Sequence, residues 1–527
     1  MTILEQFQQW LLNYWPSWAA YLVPALIAFI IIVIIVLVMV LMFIYMERRI
    51  IGRFQIRLGP NRAGPFGILQ PVADAIKVLI KEDIVPIRAD RWVHYWAPII
   101  TFFPALMIFA VIPWGQGAIF ADLNIGILYV VAISSVGAIG IFMAGWGSNN
   151  KFSLVAGMRT IAQMVSYEIP LVLSIGGVLI IAGSLSMMDI VEAQNVPFFL
   201  LQPLGFVIFF IAAASEINRS PFDLLEAESE IVTGYHTEYS GMKFALFFFA
   251  EYTHAFALST IAATLFLGGW RFALLPGPIW FFIKVLLVFI VLLWMRSTLP
   301  RVRVDQLMGF AWKFLFPLAL INLFITATEA IIWPGFPWWL LFLNFAIAAL
   351  LIVLWSGLFP VPGEGVSFKR YGRGIAKGMA LTFKHLFRHP ITVQYPEQRL
   401  TPARRFRGYQ LVWYEDQCNG CRACARACPV SIIDIETRKG EEKGLVVEKL
   451  EVDFGRCLFC GLCVEACPVQ ALFMSRDYEK ASYRREALVM NKEQFIAAPD
   501  KRSAYAYPDL EDEMPPQTLL APPKEGR

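Results

Sequence analysis

Long apolar runs broken by short charged or Gly/Pro-rich segments fill the first 360 residues. Runs of the length that spans a bilayer, about 20 residues, lie near Tyr21–Tyr45, Trp96–Pro113, Ile125–Ala144, Ile161–Gly183 and Phe199–Ser215. Others follow near Phe244–Gly268, Pro278–Met295, Phe314–Trp333 and Trp338–Phe359. The pattern predicts an all-α polytopic membrane domain of about nine transmembrane helices over residues 1–360. Pro360-Val361-Pro362-Gly363 breaks the last run. A linker follows over 361–409. Within it Phe368, Tyr371, Ile375, Met379, Phe383 and Leu386 recur at helical spacing, with Lys369, Arg370, Arg373, Lys377, Lys384 and Arg388 on other faces. This predicts an amphipathic helix over Phe368–Arg388; its place between the last run and the cysteine-bearing region favours a position on an anionic membrane surface over packing on a soluble domain. Residues 410–480 read as a small α+β domain, and the Pro-containing tail over 481–527 as an extended arm laid on partner subunits, with free disorder as the alternative.

Hydrophobic residues make up 57% of the 527-residue chain, too many for a soluble enzyme of this length. The net charge of +4 hides an asymmetry in the loops. Arg48, Arg49, Arg53, Arg57, Arg62, Lys77, Lys81, Arg88 and Arg91 crowd the loop after the first run, and alternate loops add Lys151, Arg159, Arg219, Lys243, Arg296, Arg301 and Arg303. The opposite side has little beyond Arg271. The cation-rich side is expected to be cytoplasmic, which puts everything after Phe359 there. Met1–Ala20 lacks the basic start of a secretory signal, so the first run is expected to be an anchor that is kept. Nothing suggests a nucleic-acid partner.

All eight cysteines fall between Cys418 and Pro468, in two copies of C-x2-C-x2-C-x3-C-P. That is the bacterial-type iron–sulfur spacing, in which the fourth cysteine of each run ligates the other cluster. One 4Fe-4S centre is then assigned to Cys418, Cys421, Cys424 and Cys467, and the other to Cys457, Cys460, Cys463 and Cys428. Zinc, which favours paired C-x2-C knuckles, and disulfides, which need an oxidising compartment, fit the repeat less well. The short apolar segments Val430–Ile435 and Val469–Phe473 after each run predict two related halves of a ferredoxin-like domain.

Between the fifth and sixth runs the chain carries Glu216, Asp223, Glu226, Glu228, Glu230 and Glu238, and Glu251 follows inside the sixth. Such a loop can simply be solvated surface. Glu168 and Glu251 lie inside apolar runs, where an ionisable group is costly and marks a functional candidate. Lys284, in the seventh run, is a further candidate, with snorkelling as the alternative. Carboxylates close together in low dielectric have raised and separated pKa values, a composition suited to proton transfer. The loop after the first run combines Gly59-Pro60 and Gly64-Pro65 bends with cations, as a cavity mouth beside the membrane would. Asp74, Lys77, Lys81 and Glu82 then follow at near-helical spacing.

Three stretches, Gln55-Ile56-Arg57-Leu58-Gly59-Pro60-Asn61-Arg62 with Gln70-Pro71-Val72-Ala73-Asp74, the Glu216–Tyr239 segment, and Arg296 to Gln306, resemble the quinone-site membrane subunit of respiratory complex I, the bacterial H subunit. Residues from about 370 to 480, including Lys384-His385-Leu386-Phe387-Arg388 and Gln394-Tyr395-Pro396, resemble the two-cluster I subunit of the same enzyme. The chain looks like a fusion of the two. Ala63 stands where the family often has Val, and the linker around Pro360–Gly365 has no family template.

The resemblance implies one component, incomplete by itself, of a proton-translocating NADH:quinone oxidoreductase or a relative fed by ferredoxin or a deazaflavin. Quinone would enter between the first spans and the amphipathic segment, with Glu47, Arg48, Arg57, Asp74, Lys77, Arg301, Arg303 and Asp305 near its path. Glu168, Glu216, Asp223, Glu226, Glu238 and Glu251 would couple quinone reduction to proton-pumping partners. Those partners would be peripheral-arm and antiporter-like subunits, in a bacterial or archaeal cytoplasmic membrane. Two other readings are a hydrogenase membrane arm, which should lack Arg219-Ser220-Pro221-Phe222-Asp223, and a passive ferredoxin anchor, which would not need acids inside spans. No G-x-G-x-x-G following a strand is found, so dinucleotide binding is left to a partner.

Overall fold

The computed structural model describes residues 11–13, 16–225, 228–271, 275–333, 335, 337–358, 371–440, 444–496 and 502–520. The chain forms two compact units, Met1–Ile391 and Thr392–Arg527.

The first unit is helical. Its main helices are α1 (Ser17–Phe54), α2 (Gln70–Ile80), α3 (Arg91–Met107), α4 (Gly126–Gly147), α5 (Lys151–Ala182) and α6 (Met187–Ala193). They are followed by α7 (Pro203–Glu216), α8 (Gly241–Leu265), α9 (Gly277–Thr298), α10 (Val304–Ile332), α11 (Trp339–Leu358) and α12 (Tyr371–His385). Among the described residues seven helices are long and apolar enough to cross a membrane. Shorter apolar helices, α7 and Trp339–Leu354 of α11, stand at the other two expected places.

Several helices outrun their apolar windows. The 38 residues of α1 measure about 57 Å at 1.5 Å per residue, well beyond a hydrocarbon core of about 30 Å. The helix carries Glu47, Arg48 and Arg49 past the apolar run and ends at Phe54, ahead of the Gly59-Pro60 bend. α5 begins ten residues before its apolar run, where the Asn150 side chain accepts from Phe152 N, and ends at Gly183 in the left-handed conformation, φ 68°. α3 and α4 pack closely through small residues. A Cβ on Gly140 would lie 2.3 Å from Thr101 Oγ1, so only glycine allows this approach.

The core of this unit is aromatic and aliphatic. Phe43 stacks on Phe289 at 3.9 Å between centroids, and Phe109 on Phe256 at 4.8 Å. In its described residues the acidic segment after α7 is only partly solvated. Leu224, Leu225, Tyr235 and His236 are buried, and Leu225, Tyr235 and Phe247 share a core cluster with α4 and α5 residues. Gln163 of α5 donates to the carbonyls of Ser215 and Phe222, both at 2.8 Å, and Val302 N donates to Pro221 O at 2.9 Å, so the segment is pinned inside the bundle.

α12 lies within the stretch expected to be amphipathic; 359–370, with the linker breakers, fall outside the described residues. Trp294 Nε1 of α9 donates to Met379 O at 3.2 Å and Thr382 Oγ1 at 3.1 Å, and the Phe383 ring sits 5.4 Å from that of Trp294. Lys377 and Lys384 are exposed.

In the second unit, β2 (Leu411–Trp413) pairs antiparallel with β5 (Leu472–Met474). β3 (Ile433–Lys439), β4 (Leu445–Asp453) and β6 (Val489–Asn491) form a three-stranded antiparallel sheet. Short helices, Ala423–Ala427 and Leu462–Glu465, carry the third cysteine of each run. The residues expected to form a separate arm are partly built into this unit. β6 belongs to its sheet, Ser503 N donates to Met474 O at 2.8 Å, and β1 (Arg399–Leu400) pairs with β7 (Leu519–Leu520). Backbone hydrogen bonding and buried Met490, Phe495 and Ala504 hold them there, which a Pro-rich composition does not reveal.

Candidate functional site

The eight cysteines divide between two cavities. Cys418, Cys421, Cys424 and Cys467 line one with Ile433, Val452 and Leu472 among its walls. Cys428, Cys457, Cys460 and Cys463 line the other. Each set thus takes three cysteines from one run and the fourth from the other. Among the described residues no three His, Cys, Asp or Glu side chains converge as ligands of a single ion would. Thiols standing around a cavity suit a larger object, and a four-iron cluster takes four of them. Backbone N–H groups of Phe459 and Ala471 point at Cys457 Sγ (3.4 Å) and Cys467 Sγ (3.3 Å), donors that stabilise thiolates. Burial pushes the Cys424 thiol up to about 11 and Cys463 to about 12, so without iron these sulfurs hold their protons. The residues fit the group.

In the membrane unit, four charged side chains from four segments meet. Glu47 of α1, 6% exposed, contacts Arg296 of α9 closely and lies 3.6 Å from Arg219. Arg219 Nη2 stands 3.7 Å from Glu251 of α8, with its guanidinium 4.4 Å above the Tyr252 ring. Two cations face two carboxylates, each with less than a third of its side chain exposed. Ion pairs this buried persist only when mutually compensated.

Glu251 also lines a cavity with Glu216, Asn218 and His254. Glu216 and His254 line a second cavity too, which includes Ser134. The neighbouring Ser135 hydroxyl donates to Glu168 in a short contact. Glu47, Glu251, Glu216 and Glu168 are thereby strung along adjoining cavities and contacts, with His254 and Arg219 between them.

The other expected residues do not all join this chain. Glu238 is held apart by Asn150 Nδ2 at 2.7 Å, Asp223 is half-buried after Phe222, and Glu226 lies outside the described residues. Asp74 accepts from Arg48 at 2.5 Å and Gln70 at 3.1 Å, with Lys77 3.5 Å away. Burial would raise the Asp74 pKa, but these hydrogen bonds and cations outweigh it and hold the carboxyl below its usual range. Arg57 bonds Gln55 at 2.6 Å. Arg301 stands 3.8 Å from Glu230, and Arg303 pairs with Asp305 at 3.0 Å on an exposed surface. The quinone-path residues therefore form separate groups, of which Glu47 alone belongs to the buried charge set. Lys284 is bound to backbone instead: its ammonium donates to the carbonyls of Leu267 (2.6 Å), Gly269 (2.8 Å) and Arg271 (2.9 Å).

Sequence reasoning did not single out His254, Tyr252 or the roles of Arg219 and Arg296. His254 follows Glu251 at i+3 on α8, a spacing that puts both on one helix face. It also missed Glu329, 6% exposed, to which Asn344 donates at 3.2 Å. Asn322, Thr326 and Glu329 at i, i+4 and i+7 in an apolar helix were the available signal.

The sequence from 27 to 327 matches the NADH dehydrogenase family, and 417–471 matches the 4Fe-4S dicluster domain. The chain belongs to the NADH dehydrogenase family, that of the complex I H subunit. The H subunit of NADH-quinone oxidoreductase from Dehalococcoides mccartyi (strain CBDB1) is 60% identical over 329 residues, covering 62% of this chain and 93% of that protein. Its counterpart from Brevibacillus brevis is 48% identical over 332 residues, 62% of this chain and 96% of the relative. With the dicluster domain appended, the arrangement is that of an H subunit fused to an iron–sulfur subunit. This family member is a multi-pass membrane protein with an electron-transfer role, one component of a multisubunit oxidoreductase.

Proposed function

We propose that this chain relays electrons through two 4Fe-4S clusters towards a quinone chamber, and that its membrane unit couples quinone reduction to proton translocation. The observation that carries the coupling is the buried, charge-balanced set Glu47, Arg296, Arg219 and Glu251, adjoining the cavities of Glu216 and His254 and, through Ser135, Glu168. The two mixed cysteine sets support two clusters. Bound clusters supply one-electron transfer, and their eight thiolates come from this chain.

Reducing a quinone to a quinol takes two electrons and two protons, so the chamber draws protons from neighbouring groups. A proton that passes through Glu47 on its way to the chamber weakens, while it is held there, the pairing with Arg219 and leaves Glu251 as the charged carboxylate beside that cation; once handed on to the quinone, it restores the Glu47–Arg219 pair. In low dielectric such a change alters the protonation preference of Glu251, and through the shared cavity that of Glu216 and His254. Tyr252 under the Arg219 guanidinium limits its movement. The charged groups at Arg48, Arg57, Asp74, Lys77, Arg301, Arg303 and Asp305 fit the approach to the quinone chamber in this reading, and Asp223, Glu226 and Glu238 the flank of the acidic chain. The cation-rich loops support a cytoplasmic position for the second unit. Peripheral-arm and antiporter-like subunits would supply the electron donor site and the pumps.

The test uses the assembled complex in proteoliposomes with Glu168→Gln and Glu251→Gln. Quinone reduction and proton uptake should fall together with cluster content intact. Normal pumping in both variants refutes the coupling, and loss of clusters in either assigns these carboxylates to the fold.

A further inference from the structure

The two cysteine runs repeat in spacing but differ in charge. Two residues before the last cysteine of each run, the first has Arg426 and the second Glu465. Arg426 Nη2 donates to Cys421 O at 3.2 Å, so the first run supplies a cation to the carbonyl of its own second cysteine. The second run has an acid at the equivalent place. Its corresponding carbonyl, Cys460 O, accepts instead from Arg407 Nη1 at 3.0 Å, a residue ahead of both runs.

Tyr505, from beyond the runs, completes the exchange. Its hydroxyl lies 2.7 Å from Glu465 Oε1 and 3.3 Å from Cys460 O. With one proton to give, it donates to the nearer, charged oxygen, leaving Arg407 as the main donor to Cys460 O. The Arg407 guanidinium stands 5.0 Å from the Tyr505 ring, a cation–π distance. Tyr505 is fixed by its neighbours: Ala504 N donates to Arg404 O at 2.9 Å, and Ser503 and Ala504 are buried. Gly461, at φ +83°, makes the space, since a Cβ there would lie 2.2 Å from Tyr505 Cε1. The Tyr507 hydroxyl donates to Val464 O at 3.3 Å and ties the same helix down.

We propose that Arg407 and Tyr505 are positioning residues that stand in, at the second cysteine run, for the cation that Arg426 gives the first, and so offset Glu465 and keep the reduction potential of the cluster at Cys428, Cys457, Cys460 and Cys463 from falling. The inference rests on the two-cluster reading. Reduction adds a negative charge to a cluster, so a nearby cation favours the reduced form and a bare carboxylate opposes it; charge and hydrogen bonding are what set such potentials.

The experiment is a redox titration of the assembled complex followed by electron paramagnetic resonance, with iron and acid-labile sulfide measured in parallel. Arg407→Gln should lower the midpoint of the Cys460-side cluster so that its reduced-to-oxidised ratio at fixed potential falls about tenfold, about 59 mV for one electron, while the other cluster is unmoved. Arg407→Lys keeps the charge and should restore most of the potential. Because Arg407 and Glu465 are exposed, the Arg407→Gln shift should shrink at high salt. An unmoved midpoint with full iron overturns the proposal, as does a shift confined to the other cluster. Should Arg407→Gln fail to load iron, Tyr505→Phe decides, since it leaves Glu465 without its donor and must shift the same midpoint downward; no shift there overturns the proposal too. A wild-type complex whose iron or signals fit one cluster refutes the two-cluster reading itself and is a different result.

Discussion

Neutralising Glu47 should unbalance the buried charge set, and restoring balance with a second change should recover part of the loss. Glu47→Gln leaves Arg219 and Arg296 facing Glu251, and Arg219→Gln leaves Glu47 and Glu251 facing Arg296; the double variant leaves one cation and one anion. At 3.6 Å and an effective dielectric of about 20, the Glu47–Arg219 attraction alone is roughly 4 to 5 kcal/mol, largely cancelled in the native protein by the cost of desolvating both ions. Removing one member loses the attraction and keeps the other group's desolvation, a net cost of about 3–5 kcal/mol. Each single variant should therefore lose about that much stability, and the double should lose less than the sum by roughly 2–4 kcal/mol.

The assay is equilibrium unfolding of the purified full chain from mild-detergent micelles by sodium dodecyl sulfate, followed by helical circular dichroism, which reports mainly the first unit. Additivity of the two single variants to within about 0.5 kcal/mol would refute the network. So would singles that each cost less than about 1 kcal/mol, the size of an exposed pair.

Cys467→Ser should abolish the electron paramagnetic resonance signal of the centre formed with Cys418, Cys421 and Cys424 and spare the other; loss of the signal from Cys457, Cys460 and Cys463 instead would refute the mixed sets. His236, 4% exposed in the segment before α8, has its pKa lowered to about 4 by burial. It is therefore neutral in the fold but protonates in the unfolded chain below about 6.5, and its contribution to stability is complete above that pH and lost as pH falls towards 4. His236→Phe, which keeps the ring contacts to Tyr235 and Phe244, should flatten the stability–pH slope in that window by up to about 1.4 kcal/mol per pH unit; an unchanged slope refutes the buried neutral ring. Lys284→Met should cost about 2–4 kcal/mol through three lost charge-assisted hydrogen bonds and, on the proposed reading, leave proton uptake by the assembled complex unchanged; lost uptake at unchanged stability would return Lys284 to the proton path.

The spans were legible because a bilayer demands long apolar helices, and the cysteine sets because cluster chemistry fixes their spacing. What composition could not convey was where a charged segment goes. α1 continues through Glu47 to Phe54 because helix hydrogen bonding does not stop where lipid does. The Glu216–Ser240 segment reads as surface by its acids, yet buried Phe222, Leu224, Leu225 and Tyr235 draw it into the bundle and bring Arg219 to Glu47 and Glu251. No periodicity relates those three residues, since each comes from a different element. The Arg407–Tyr505 contact was hidden for the same reason, whereas Glu251 with His254, and Asn322 with Thr326 and Glu329, lay at helical spacings that a count of acids passes over.

If the proposed coupling holds, the arrangement of the cavities narrows where it can be interrupted. The cavity of Arg219 and Glu47 and the cavity of Glu251 share a single lining residue, Ile217, which is 2% exposed and carries no proton. Across that apolar wall the link is the 3.7 Å approach of Arg219 to Glu251, an electrostatic one. Between the Glu251 cavity and the one beside Ser134 the shared residues are Glu216 and His254, both able to bind a proton. On the proposed reading, charge would cross the first boundary as a change of field and the second as a proton. Gly137 of α4 faces the His254 ring, since a Cβ there would touch Nε2 at an ordinary contact distance of 3.5 Å. The two boundaries thus depend on different physics: the first on keeping a cation fixed between two carboxylates, the second on keeping two titratable groups against the same two cavities.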